Sequence, residues 1–135
     1  MCGTFARGVR LLFDTDVLIW FLCGNENARK KVLAEAPLKI SAVTYMELVQ
    51  GMRSKQELAT LKKALERLDA EILALDATIS ANAVAYVEDY HLGYSVAMGD
   101  ALIAATCVQH GEPLCTANDK HYKVIPGLEL DVFRP

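Results

Sequence analysis

Five acids and one amide stand where a folded chain could use them: Asp14, Asp16, Glu47, Asp100, Asn118 and Asp119. Each closes an apolar, strand-like run or falls near the opening of a helix-like one. Carboxylates grouped without His or Cys make the oxygen-only surroundings of Mg²⁺ or Mn²⁺, hard cations that prefer such donors. Like charges at close quarters raise one another's pKa unless a cation neutralises them, so the group makes chemical sense with metal bound. A bound cation activates water and steadies an attacked phosphate, the logic of metal-dependent nucleases. Every one of these residues also has a local explanation. Asp14 can cap the next helix, Glu47 completes T-x-x-E with Thr44 as a capping box, Asp100 suits a helix N-terminus, and Asn118-Asp119 suits a turn. Their joint placement carries the argument.

That placement depends on the elements. Val9–Asp14 (VRLLFD) reads as a buried strand and Val17–Cys23 as the start of the first helix. Gly24 breaks the chain, Asn25 or Asn27 caps a second helix, and Pro37 ends it. Leu38–Val43 is β-prone, and Thr44–Arg53 and Lys55–Leu68 are helical. Glu71–Leu75 reads as a third strand, followed by a helix from Asp76 to about His91 that Gly93 ends. An Ala-rich helix, Asp100–His110, precedes strands at Pro113–Thr116 and Leu128–Phe133. This alternation predicts an α/β fold: a mostly parallel sheet of four to five strands flanked by helices. Ligands of such sheets sit beyond the carboxyl ends of the strands, where these acids fall.

Composition narrows the class. At 135 residues, 53% hydrophobic and 23% charged, the chain is one globular domain and lies far from the disordered regime. Mean hydropathy is +0.19, but no apolar run nears the ~20 residues of a membrane span, and MCGTFARGVR holds no signal-like stretch. Cys2, Cys23, Cys107 and Cys115 lack zinc-pair spacing and are too sparse for a disulfide scaffold. Free thiols favour the cytoplasm. A net charge of −3 gives no global field for nucleic acid. Arg29-Lys30-Lys31 and Arg53, Lys55, Lys62, Lys63 and Arg67 read as solvated helix faces, with a shallow phosphate-contacting rim as the minority reading.

In four segments the chain resembles the PIN-domain ribonucleases, and within them the VapC-like toxins of toxin–antitoxin pairs. They are LLFDTDVLIWFL (11–22), ISAVTYMELVQG (40–51), GDALIAATCVQHGEPLCTANDKHY (99–122) and IPGLEL (125–130). The resemblance covers the chain from Val9 on, which makes 9–135 the domain and 1–8 an N-terminal extension. It implies a divalent-metal-dependent endoribonuclease with Mg²⁺ or Mn²⁺ on Asp14, Glu47 and Asp100. Asn118 falls on the fourth family position, with Thr116 and Asp119 in support. Asp16 stands where relatives often carry Asn or Ser, and His121 reads as structural. It also implies an RNA substrate, a homodimer, a small antitoxin partner and no membrane. Tyr45, Met46, Val49, Met52, Leu58, Leu61 and Leu65 supply apolar surface compatible with pairing.

Other classes fit less well. DTDVL is loosely similar to the opening of haloacid-dehalogenase phosphatases, but no DD pair follows. A phosphoacceptor receiver domain would need paired acids after the first strand and a lysine closing the last. The remaining alternative is a catalytically weak PIN-fold module that binds RNA or protein.

Overall fold

The computed structural model describes residues 10–135, so the extension read at 1–8 lies outside the described residues. Five short strands form one sheet: β1 (Leu12–Phe13), β2 (Lys39–Ser41), β3 (Glu71–Leu73), β4 (Leu114–Thr116) and β5 (Leu130–Val132). Their order is β3-β2-β1-β4-β5, and every pairing is parallel. The chain fills one side of β1 first and returns to the other only at β4. The order therefore reverses at the β1/β4 boundary, the position where open α/β sheets leave a crevice at their carboxyl ends. Leu12 pairs with Leu114 and Phe13 with Cys115 there.

Seven helices lie among the described residues: α1 (Thr15–Leu22), α2 (Glu26–Glu35), α3 (Ala42–Gln50), α4 (Lys55–Arg67), α5 (Ala77–Tyr94), α6 (Met98–His110) and α7 (Asp119–Tyr122). Side-chain alternation along the strands sorts the core onto two faces. Leu12 and Leu114 join Ile79, Ala83, Ile103 and Ala104 of α5 and α6. Phe13 and Cys115 join Val17, Val32, Leu48 and Leu61 from α1 to α4. Cys107 and Cys115 are buried free thiols, one on each face, and Cys23 is exposed. Among the described residues no helix is long and apolar enough to cross a membrane.

Three local readings differ from the sequence. Helix α3 begins at Ala42, two residues early, because the Ser41 hydroxyl caps it by accepting from the Val43 N–H at 3.1 Å. Thr44 and Glu47 thus form no capping box, and the buried Thr44 hydroxyl has no partner. Gly93 does not end α5. The helix continues to Tyr94, whose ring meets that of Tyr90 one turn earlier, and Ser95 closes it at a φ of 60°. The apolar stripe read as pairing surface is largely used within the chain. Leu61 and Leu65 are buried, Tyr45, Val49, Met52 and Leu58 pack against them, and only Met46 stays exposed.

Candidate active site

The carboxyl edge of the sheet is assembled by adjacent element ends. Strand β1 stops at Phe13 and Asp14 follows at once, buried and acting as N-cap of α1. Its Oδ1 accepts from the Thr15 N–H at 2.8 Å, and its Oδ2 accepts from the Thr116 hydroxyl at 2.8 Å across the β1/β4 boundary. Thr116, fully buried at the end of β4, accepts in turn from the Asn118 N–H at 2.9 Å. One hydroxyl thus fixes both an acid of β1 and the start of the loop after β4.

Asp16, one residue into α1, accepts from the Ala117 N–H at 3.1 Å through Oδ2, and its buried Oδ1 has no partner. Glu47, the sixth residue of α3, turns toward the same edge, where its Oε1 accepts from the Thr15 hydroxyl at 2.5 Å. Its other oxygen faces Gly99, close to where a side chain would begin. Asp100 follows in the first turn of α6. Its Oδ2 accepts from the Ala97 N–H and its Oδ1 from the Tyr122 hydroxyl, each at 3.3 Å.

Tyr122 is the residue that sequence reasoning missed. Its ring is buried to 1% exposure, and its hydroxyl lies between Asp100 and Asp14. Burial and the surrounding acids push its own pKa up, so it stays a proton donor. The signal was faint, a Tyr closing the T-x-N-x-K-H-Y tail, on a four-residue helix with no periodicity to betray it. His121 is nearer the acids than expected, with Nδ1 3.4 Å from Asp100 Oδ2 and 3.1 Å from the Asn118 amide nitrogen. Asn118 therefore spends its side chain on His121, while Asp119 turns away to Arg134 at 3.0 Å and Lys123 at 3.8 Å.

The electrostatics follow from these partners. Asp14 is surrounded by neutral donors, and burial, reinforced by the charge of Asp16, raises its pKa from 3.8 to about 7. Asp16 is raised too, mainly by burial, with Asp100 adding to it. Asp119 is lowered, chiefly by the Arg134 hydrogen bond. Asp14, Asp16, Glu47 and Asp100 thus share one edge, tied by hydroxyls and backbone N–H groups. Among the described residues no three His, Cys, Asp or Glu side chains close to ion-binding distance. The donor set nevertheless suits a hard divalent cation: all oxygen, with the buried Asp16 Oδ1 lacking a partner and Asp14 lacking a cationic one. Beside Glu47 a groove of about 530 Å³ opens, walled by Tyr45, Met46, Leu75, Met98 and Leu102.

Comparison with known proteins gives consistent results. The PIN domain family matches residues 11–128. Ribonuclease VapC10 of Mycobacterium tuberculosis is 32% identical over 125 residues, covering 88% of this chain and 90% of that one. A toxin–antitoxin complex from Klebsiella pneumoniae contains a chain of the same fold, at 30% identity and TM-score 0.73, covering 87% of this chain and 94% of that one. DNA-bound VapBC from Salmonella typhimurium has a similar fold at TM-score 0.78 and 23% identity, covering 92% and 98%.

Proposed function

The chain belongs to the PIN-domain family, and on that footing we propose that it is a ribonuclease toxin of the VapC kind, cleaving RNA endonucleolytically with Mg²⁺ or Mn²⁺. The observation that carries this reading is Asp14. Its carboxylate is buried at the sheet's reversal point beside a second acid, with only hydroxyl and amide donors to hold it. Once Asp14 has lost its proton, its charge faces only neutral donors and a second acid, and an added cation would balance it.

Asp14, Glu47 and Asp100 would hold the cation, with Asn118 in support. When bound, a divalent cation lowers the pKa of water and offsets charge on an attacked phosphate. Thr116 holds Asp14 and Thr15 holds Glu47 from beneath, so both acids are oriented before substrate arrives. Tyr122 fixes Asp100 and keeps solvent out behind the cluster. Asp119 serves the loop through Arg134 and Lys123. The groove beside Glu47, with Tyr45, Met46 and Met98 on its walls, offers apolar surface on which an unpaired base can lie.

The likeness to the Klebsiella complex supports a small antitoxin as this chain's partner. We also assign it a homodimeric state and a cytoplasmic site of action. The test is cleavage of unstructured RNA with Mg²⁺, with Mn²⁺ and with chelator, for the native chain and for Asp14→Asn and Asp100→Asn. Divalent-dependent cleavage lost in both variants supports the enzyme. RNA binding with no divalent-dependent cleavage would instead leave the binding-module reading.

A further inference from the structure

Gly99 has no conformational reason to be glycine. The described glycines with positive φ are Gly24, Gly111 and Gly127, and Gly99 is not among them. It is the second residue of α6, where alanine is the better helix former. What sets the position apart is its neighbour. A Cβ built at residue 99 would lie 2.8 Å from Glu47 Oε2, too close for any carbon–oxygen contact. The next atoms, Glu47 Cδ at 3.7 Å and Val43 Cγ1 at 3.9 Å, are at ordinary distances. The conflict is therefore with one carboxylate oxygen, and the core would accept the methyl group.

We propose that Gly99 is a positioning residue for Glu47: by lacking a side chain it leaves the space in which that carboxylate stands against the first turn of α6. The chain gives up helix propensity here and gains a fixed place for an acid. Adding the methyl group displaces the flexible end of Glu47, breaks its bond with the Thr15 hydroxyl, and leaves the backbone as it was. The inference rests on reading Glu47 as a cation ligand, and it predicts that stability and cation affinity part company.

The experiment is calorimetric titration with Mn²⁺ alone, plus thermal melting of the cation-free protein, on the native chain, Gly99→Ala, Glu47→Ala and the double variant. Gly99→Ala should melt at or above the native temperature and bind Mn²⁺ about 10–100-fold more weakly, the usual loss when support of a ligand is removed. In the Glu47→Ala background it should leave Mn²⁺ affinity unchanged, because nothing remains to displace, and keep any rise in melting temperature that the better helix former brings. Native affinity in Gly99→Ala, with weakened binding in Glu47→Ala, overturns the inference and leaves Glu47 a ligand. Native affinity in Glu47→Ala overturns that reading, and the inference with it. Should Gly99→Ala melt low, recovery in the double variant supports the contact, and an equal loss there overturns it.

Discussion

Asp119 and Asp14 stand at the same end of the sheet, one after β4 and the other after β1, and the chain treats them oppositely. Asp119 has Arg134 at 3.0 Å and Lys123 at 3.8 Å, and its pKa is lowered. Asp14 has a hydroxyl and an amide at 2.8 Å, a second acid nearby and no cationic partner among the described residues, and its pKa is raised. The protein supplies positive charge where a carboxylate only ties down a loop. It places only neutral donors around Asp14, the carboxylate proposed to hold a cation. A local count of acids would score the two alike. Their partners set apart a carboxylate held by cationic groups from one held only by neutral donors.

The contrast breaks most visibly if Asp14 is neutralised. Asp14→Asn keeps the α1 cap, since Asn caps as well as Asp, but removes the uncompensated charge. RNA cleavage should fall below detection while the cation-free protein melts several degrees higher at pH 7.5. A variant that keeps activity, or one that melts lower, would show that the native charge is already balanced.

A pH series sharpens the same point. Asp14 binds its proton more tightly folded, at about 7, than unfolded, near 3.8. Stability from this group is therefore full below pH 4, falls as pH rises through that interval, and levels off above 7. At about 1.4 kcal/mol per pKa unit the ceiling of the loss is about 4 kcal/mol. Chemical denaturation of the chelator-treated protein should trace that decline between pH 4 and 7, and Asp14→Asn should flatten it.

Adding the missing charge should reverse the decline. At pH 7.5, Mg²⁺ or Mn²⁺ at a hundredfold excess over its Kd should stabilise the protein by about 2.7 kcal/mol. The gain should shrink toward pH 5, where Asp14 holds its proton and competes. Melting curves with and without cation at both pH values measure it, and equal shifts at the two would contradict the assignment to Asp14.

The smallest effects concern the loop after β4. Asn118→Ala should lower divalent-dependent cleavage by about 10–100-fold by freeing His121 and loosening the support of Asp100. Asp119→Ala, which releases only Arg134 and Lys123, should retain most activity. Rates measured against Mg²⁺ concentration separate the two, and an inactive Asp119→Ala would put the fourth position of the site at Asp119 in place of Asn118.

How much of this was visible beforehand depended on whether a feature is local. Asp14 and Asp100 sit beside apolar runs that announce a strand and a helix, and the segments resembling PIN domains pass through both. The parallel sheet followed from alternation, although the strands proved shorter than the apolar runs because burial extends past the hydrogen-bonded ladder. Glu47 was read from its place early in the helix after β2 and from the resemblance, and the capping box that offered a purely local explanation is absent. Its supposed partner Thr44 stands unbonded, and Thr15, 32 residues away, takes that place. Tyr122 and the Gly99 contact were beyond reach because both exist only across elements. No periodicity marks a four-residue helix, and no propensity marks a glycine whose purpose is the space beside it.

The strand order has a consequence for how the molecule comes into being. Asp14, Glu47 and Asp100 are all synthesised before Pro113, yet β1 then has a partner on one side only. Its other edge stays bare until Leu114 pairs with Leu12, about a hundred positions later. Thr116 and Tyr122 arrive with β4 and the segment after it, so Asp14 and Asp100 gain their hydroxyl partners only after the chain has been extended past Pro113. A nascent or prematurely terminated chain carries the acids without their supports. It also exposes an unpaired central strand, the kind of edge that slow, long-range pairing leaves open to misassembly. Synthesis through Tyr122 thus decides when these two acids gain their supports.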